Sequence, residues 1–157
     1  MTLPSIREAA SDLLNDYVER LDADRLEEWL DLFTEDATYT IIPRENVEQN
    51  LPAAIIWCPN KNVLRDRIVS LRNANEFNLH YDRHVVSNVR LRPHAENTWD
   101  LEANYAVFQT TMEGQTKLFS VGRYRDQIRL DGESLLFCKK YVVVDTFSVP
   151  TLLATPL

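Results

Sequence analysis

The second half of this sequence reads as a succession of long strands, and no other feature constrains the fold as much. Apolar and polar residues alternate at many positions over 85–91, 99–112, 116–130 and 135–147. Glu113-Gly114 and Asp131-Gly132 separate the last three stretches, and glycine tolerates the positive φ that tight hairpin turns require. The pattern predicts an antiparallel meander of strands.

Helical spacing dominates the first half instead. Ser5 is a predicted cap for a first helix, and Asp22 or Asp24 for a second, shorter one. Apolar side chains recur every three or four residues at Ile6, Ala9, Ala10, Leu13, Leu14, Tyr17, Val18 and Leu21, then at Leu26, Trp29, Leu30 and Phe33. Beyond them we predict strands at 38–42 and 53–57, a projecting loop over 43–52, and a third helix at 62–73.

Helices followed by a strand meander are typical of α+β proteins, in which the helices cover one face of a curved sheet. The chain has 157 residues, which fits a single domain over 1–157, and no repeat or linker divides it. The apolar tail, 148–157, would be costly to leave in water. We therefore expect the tail to pack on this chain or on a partner.

Composition argues against several classes of function. The formal net charge is −7 and acidic residues lie between the arginines, whereas nucleic-acid binding requires a basic patch. No apolar run approaches the ~20 residues that span a bilayer, which argues against a membrane protein. The first residues lack the features of a secretory signal, so we expect a cytoplasmic location.

Motifs for cofactor chemistry are equally scarce. The three glycines, Gly114, Gly122 and Gly132, lie too far apart for a phosphate-binding loop. Cys58 and Cys138 stand alone, which excludes a disulfide scaffold and a zinc or iron–sulfur site built from paired cysteines of this chain.

One cluster of chemically capable residues remains, His80-Tyr81-Asp82-Arg83-His84. On an extended strand His80, Asp82 and His84 point to the same face. Two imidazoles and a carboxylate match the ligand set of non-haem iron(II), and a His–Asp pair could equally serve as acid and base. The structural alternative is that His84 is a half-buried strand residue bonded to a neighbour, while Asp82 and Arg83 face solvent.

Two further groups have alternative interpretations. Residues that could line a cavity inside the sheet, or simply form its core, are Tyr39, Asp36, Trp57, Tyr105 and Tyr124. Arg123 and Arg125 flank Tyr124 and therefore share the opposite strand face. They are either ordinary solvated residues or anchors of a protein interface.

Several motifs together resemble a known family. Trp29-x-x-x-Phe33-Thr-Glu-Asp-Ala-x-Tyr39 is similar to the first motif of the cone-shaped fold shared by nuclear transport factor 2, scytalone dehydratase and ketosteroid isomerase. The segments at 43–46, 64–68, 83–88 and 122–126, followed by Asp145 and the tail, resemble the β subunit of aromatic-ring-hydroxylating dioxygenases, with salicylate and terephthalate oxygenases as the nearest likeness. The resemblance implies a cone-shaped curved sheet, mixed or antiparallel, with the N-terminal helices on its concave face.

The resemblance also implies a function. In this family the large α subunit carries a Rieske [2Fe–2S] cluster and a mononuclear Fe(II), and it receives electrons from NAD(P)H through a reductase. This chain would then hold no cofactor and no metal, and would support an α3β3 assembly through contacts with α and with other β subunits. The substrate would be an aromatic acid of the salicylate, terephthalate or benzoate class.

Two functional hypotheses follow. As a non-catalytic structural subunit, the chain would contact the α subunit through Arg44, Glu45, Trp57, Arg123, Arg125 and Leu157. As a stand-alone cone-fold dehydratase or isomerase, it would use His84 with Asp36 or Asp82 as acid and base. The second hypothesis requires an open cavity and a carboxylate within hydrogen-bond reach of His84.

Overall fold

The computed structural model describes residues 2–73, 79–146 and 156–157, and in these it combines four helices with a six-stranded sheet. The helices are α1 (Leu3–Asp22), α2 (Leu26–Leu30), α3 (Arg44–Glu48) and α4 (Lys61–Asn73). The strands are β1 (Phe33–Pro43), β2 (Ile56–Cys58), β3 (His80–Ala95), β4 (Thr98–Thr111), β5 (Thr116–Asp131) and β6 (Ser134–Val144). Across this described part of the chain, no helix has the length and apolarity to cross a membrane.

The predicted meander is confirmed and forms most of the sheet. The strand order is β2-β1-β6-β5-β4-β3, and all neighbours are antiparallel except β1 and β6. Gly114 and Gly132 lie at the two predicted turns with φ of +88° and +63°. A third hairpin turn joins β3 to β4 between the predicted strands 85–91 and 99–112, and it has Asn97 at φ 55°. The end of the predicted 135–147 strand and most of the 148–157 tail lie outside the described residues.

Several predicted boundaries in the first half are wrong. Thr2, not Ser5, is the N-cap residue of α1, and the Ser5 hydroxyl donates a hydrogen bond to the Thr2 carbonyl instead. Phe33 was assigned to the second helix but begins β1, since α2 ends at Leu30. The predicted loop over 43–52 contains the short helix α3, which lies against β1 and β6.

The core lies between the helices and the concave face of the sheet. The predicted stripe of α1 is buried at Ile6, Ala10, Leu13, Leu14, Tyr17 and Leu21. The Tyr17 ring contacts the rings of Trp29, Phe33, Tyr124 and Phe137 at centroid distances of 5.4–6.3 Å. Burying one such side chain is worth about 2 kcal/mol, so this aromatic cluster holds α1 on the sheet.

Candidate functional site

A buried ion pair occupies the interior of the curved sheet. The Lys140 ammonium lies 2.7 Å from Asp126 Oδ2, and neither side chain has any exposed surface. The same ammonium lies 3.4 Å from the centroid of the Tyr124 ring and 4.1 Å from that of Tyr17. The second oxygen of Asp126 accepts the backbone N–H of Tyr141 at 3.1 Å. Both charges are therefore satisfied by this chain's own groups.

Burial also shifts the proton equilibria of this pair. Loss of hydration lowers the pKa of Lys140 to about 8, against the opposing effect of the Asp126 carboxylate. The same loss of hydration raises the pKa of Asp126, although the Lys140 charge acts in the other direction. Each group thus stabilises the charged form of the other in a site that water does not reach.

Leu157 fills the neighbouring part of the interior. The residue is 2% exposed, and its carbonyl oxygen accepts hydrogen bonds from the hydroxyls of Tyr17 and Tyr39. The backbone N–H of Leu157 donates to the Tyr39 hydroxyl at 3.1 Å. Burial raises the pKa of both tyrosines, so their hydroxyls remain protonated donors at neutral pH. Tyr39, Tyr105 and Tyr124 are thus core residues here, as one of the two interpretations held.

His84 pairs with a carboxylate that the sequence did not indicate. Its Nδ1 lies 2.6 Å from Asp22 Oδ1, and its backbone N–H donates to Asp22 Oδ2 at 2.9 Å. The His84 side chain is 1% exposed, and among the described residues its Nε2 has no hydrogen-bond partner. Asp22 ends α1 and is distant in sequence, so only the packing of α1 on β3 brings the two together.

The other two predicted carboxylates are engaged elsewhere. Asp36 accepts hydrogen bonds from Thr34 and from Arg129, whose guanidinium lowers the pKa of Asp36. Asp82 lies 3.3 Å from His80 and shares the inward strand face with His80 and His84, as predicted. The expectation that Asp82 faces solvent is wrong, because its side chain is only 15% exposed and burial raises its pKa.

No metal site emerges from these groups in the described parts of the chain. There, no three His, Cys, Asp or Glu side chains come close enough together to hold a metal ion. Sequence reasoning missed Lys140, Asp126 and Asp22. A signal in the sequence existed for the first two. Lys140 alternates in phase with the inward Val142 and Val144, and Asp126 alternates in phase with the inward Tyr124 and Ile128.

The convex face of the sheet, opposite the helices, carries three of the six residues predicted to contact another subunit. Arg123 and Arg125 are exposed on this face while Tyr124 is buried on the other, as their alternation predicts. Trp57 is 59% exposed and pairs with Thr40, which pairs with Tyr141 on the same face. A third exposed arginine, Arg44, contacts Glu48 at 2.9 Å and Asp145 at 3.7 Å.

Glu45 and Leu157 complete the predicted contact set and lie in different environments. Glu45 is exposed in the first turn of α3, next to Arg44. Leu157 is enclosed by its own chain, between Tyr17 and Tyr39. Leu157 therefore offers no surface to a partner in this arrangement.

Comparison with known proteins places this arrangement in a family. A sequence profile described as the ring hydroxylating beta subunit matches residues 17–151. The small subunit of anthranilate 1,2-dioxygenase from Burkholderia cepacia is 43% identical over 145 residues, which cover 92% of this chain and 90% of that one.

Solved structures agree. A protein from Novosphingobium aromaticivorans, assigned as the β subunit of an aromatic-ring-hydroxylating dioxygenase, superposes with a TM-score of 0.90 at 38% identity over 98% of both chains. A protein assigned as a scytalone dehydratase from the same bacterium has a TM-score of 0.72 at 14% identity, covers 96% of this chain and 91% of its own, and supports the cone-shaped fold alone. The chain belongs to the β-subunit family of the ring-hydroxylating dioxygenases.

Proposed function

We propose that this chain is the non-catalytic small subunit of a multicomponent Rieske-type oxygenase, and that it stabilises an α3β3 assembly in the cytoplasm. The large subunit would carry the Rieske [2Fe–2S] cluster and the mononuclear Fe(II), with electrons supplied from NAD(P)H through a reductase. A Rieske centre requires two cysteines and two histidines. The sequence has only three histidines, and neither Cys58 nor Cys138 forms a Cys-x-His pair with one of them.

The observation that carries the proposal is the set of buried, mutually bonded groups inside the curved sheet. A dehydratase or isomerase of this shape needs an open cavity where substrate reaches an acid and a base. Here the ion pair of Lys140 and Asp126, the hydroxyls of Tyr17 and Tyr39, and Leu157 occupy that space. These groups hold one another, which is the property expected of a structural core.

The proposed substrate class is an aromatic acid. The relative at 43% identity belongs to a dioxygenase named for anthranilate, an aminobenzoate. That name supports a benzoate-like substrate for the assembly to which this chain belongs, in the same class as salicylate and terephthalate. The substrate itself would bind in the large subunit, beside its iron.

The proposed contact surface combines the convex face with α3. An obligate interface commonly exceeds ~2,000 Å² and is enriched in arginine and aromatic residues. Arg123, Arg125 and the half-exposed Trp57 meet this description on the convex face, and Arg44 and Glu45 extend it. Leu157 is left out, because its own chain encloses it.

Native mass spectrometry of the tagged chain, purified gently from its own host, tests the proposal together with the iron content of the sample. We expect a complex containing this chain and an equal number of larger chains, with iron in proportion to the larger chain. An iron-free homo-oligomer would contradict the proposal. That result would direct attention to His84 and Asp22 and to a panel of dehydratase and isomerase substrates.

A further inference from the structure

Three arginines surround a single carboxylate on the convex face. In the β-ladder, Glu102 on β4 lies between Arg90 on β3 and Arg125 on β5. Arg123 lies one row away, opposite Asn104. These residues share one face of the sheet, so their side chains project from the same patch of surface.

A bulge in β3 opens a groove in this patch. The pairing of β3 with β4 shifts between Ser87 and Arg90, and Asn88 has a φ of 56° at the bulge. The groove has a volume of about 300 Å³. It is lined by Asn88, Arg90, Glu102, Ala103, Asn104 and Arg123. Its walls are therefore almost entirely hydrogen-bonding groups.

The arginines of this patch are not neutralised within the chain. In the described residues, Arg90, Arg123 and Arg125 form no ion pair within 4.0 Å, and neither does Glu102. Other arginines do form ion pairs, among them Arg20, Arg25, Arg44, Arg72 and Arg129. The patch is thus locally positive on a chain whose formal net charge is −7.

We propose that this groove receives an acidic segment of the oxygenase large subunit, whose carboxylates pair with Arg90 and Arg123. The inference rests on the proposed function, because it names the chemistry by which the same partner is recognised. Guanidinium groups bind carboxylates through two parallel hydrogen bonds, and the amides of Asn88 and Asn104 supply further donors at the groove. Glu102 also lines the groove, but three arginines against one carboxylate leave the patch with a net positive charge that an acidic segment would offset.

Charge reversal tests the groove. Arg90→Glu with Arg123→Glu should weaken binding to the large subunit purified from the wild-type complex by at least about tenfold, since like charges would then face each other. Arg7→Glu with Arg65→Glu is the matched control, because both arginines are exposed on helices and the change in net charge is identical. The control should bind as wild type does, and added salt should weaken the wild-type complex.

The outcomes separate this inference from the proposed function. If the wild-type chain has no large-subunit partner, the proposed function fails. If wild type binds and the groove variant binds equally well, the groove inference alone is overturned.

A second variant guards against misfolding of the charge-reversed chain. Arg123→Lys keeps the charge and provides an amine for carbodiimide coupling to a neighbouring carboxylate. We expect a cross-link between position 123 and an aspartate or glutamate of the large subunit, located by peptide mass spectrometry. Coupling only within this chain, or to another copy of it, would overturn the proposed occupant.

Discussion

Lys140 and Asp126 form a charged pair that the core can bury because each partner neutralises the other. Each ion would cost several kcal/mol to bury alone, and each is retained because the other lies at 2.7 Å and aromatic rings cover the ammonium. We expect Lys140→Met to lower the free energy of unfolding by about 3–5 kcal/mol, since Asp126 would keep its burial and lose its counter-ion. Urea unfolding followed by circular dichroism measures this.

The neighbouring lysine provides the control. Lys139 lies on the opposite strand face, where its ammonium is 5.1 Å from the Tyr141 ring. Lys139→Met removes the same charge and should change the unfolding free energy by less than about 1 kcal/mol. Equal losses in the two variants would contradict a structural role for the buried pair.

The hydroxyls of two buried tyrosines should contribute differently to the free energy of unfolding. Tyr39 bonds both the N–H and the carbonyl of Leu157, whereas the Tyr124 hydroxyl has no hydrogen-bond partner among the described residues. We expect Tyr39→Phe to cost about 1–2 kcal/mol and Tyr124→Phe to be neutral or slightly stabilising, since it removes an unsatisfied buried group. Thermal unfolding of the two variants measures the difference, and the reverse order would contradict this geometry.

The alternation of residues along a strand predicted correctly which face of the sheet a side chain occupies. It could not predict which distant residue that side chain contacts. It placed Arg123 and Arg125 outward and Tyr124 inward, and put His80, Asp82 and His84 on one face. It could not identify Asp22 as the partner of His84, because 62 residues separate them and only tertiary packing joins them.

At the scale of elements, Asp22 fixes the end of α1 on β3. Its two oxygens bond the ring and the backbone of the same residue, His84. Asp22→Asn cannot accept at both atoms, so we expect a loss of about 1–3 kcal/mol and faster hydrogen exchange at the His84 amide. Asp16→Asn on the same helix should cost less than about 1 kcal/mol, because Asp16 is half exposed and 3.5 Å from Arg20. Similar exchange rates in the two variants would refute the anchoring role.

Element types were predictable where periodicity was long and unmixed, as in α1 and the strands of the meander. The predicted boundaries of elements were wrong where a helical pattern runs on into a strand. Phe33 continues the helical spacing of Trp29 and Leu30. It is nevertheless the first residue of β1, where it pairs with Phe137 of β6. The parallel pairing of β1 with β6 has no local signature, because the two strands are about a hundred residues apart and meet only when the sheet closes.

On the scale of the whole molecule, the two faces of the sheet have different roles. The concave face is covered by helices and holds the buried aromatic cluster and the paired Lys140 and Asp126, so it supplies stability. The convex face carries an exposed Trp57 and arginines that form no ion pair with the residues the structure describes, so it remains available for contact. Sequence resemblance indicated the family, but this division could be seen only once the strands were in register.

The concave interior also determines the response of the whole molecule to alkali. Burial raises the pKa of Tyr17, Tyr39, Tyr105 and Tyr124, so above pH 10 the folded state holds protons that the unfolded chain releases near the ordinary tyrosine pKa of about 10. Stability contributed by these groups is complete below that value and is lost as pH rises above it. Lys140 acts in the opposite direction, because its pKa of about 8 means that the folded state loses a proton first, and its contribution rises between about pH 8 and 10.5.

Four tyrosines outweigh one lysine once the pH passes 10. We therefore expect the urea midpoint to hold up to about pH 10 and to fall steeply beyond it. In a Tyr81→Phe, Tyr141→Phe background, which leaves only the four buried phenols, tyrosinate absorbance should appear together with unfolding. Tyr124→Phe removes one of the four buried phenols and should make the alkaline fall shallower, while the midpoint at pH 7 changes little. Tyrosinate forming well below the unfolding transition would mean that water reaches these hydroxyls in the folded state. The interior would then be open rather than filled, and the case for a purely structural subunit would weaken with it.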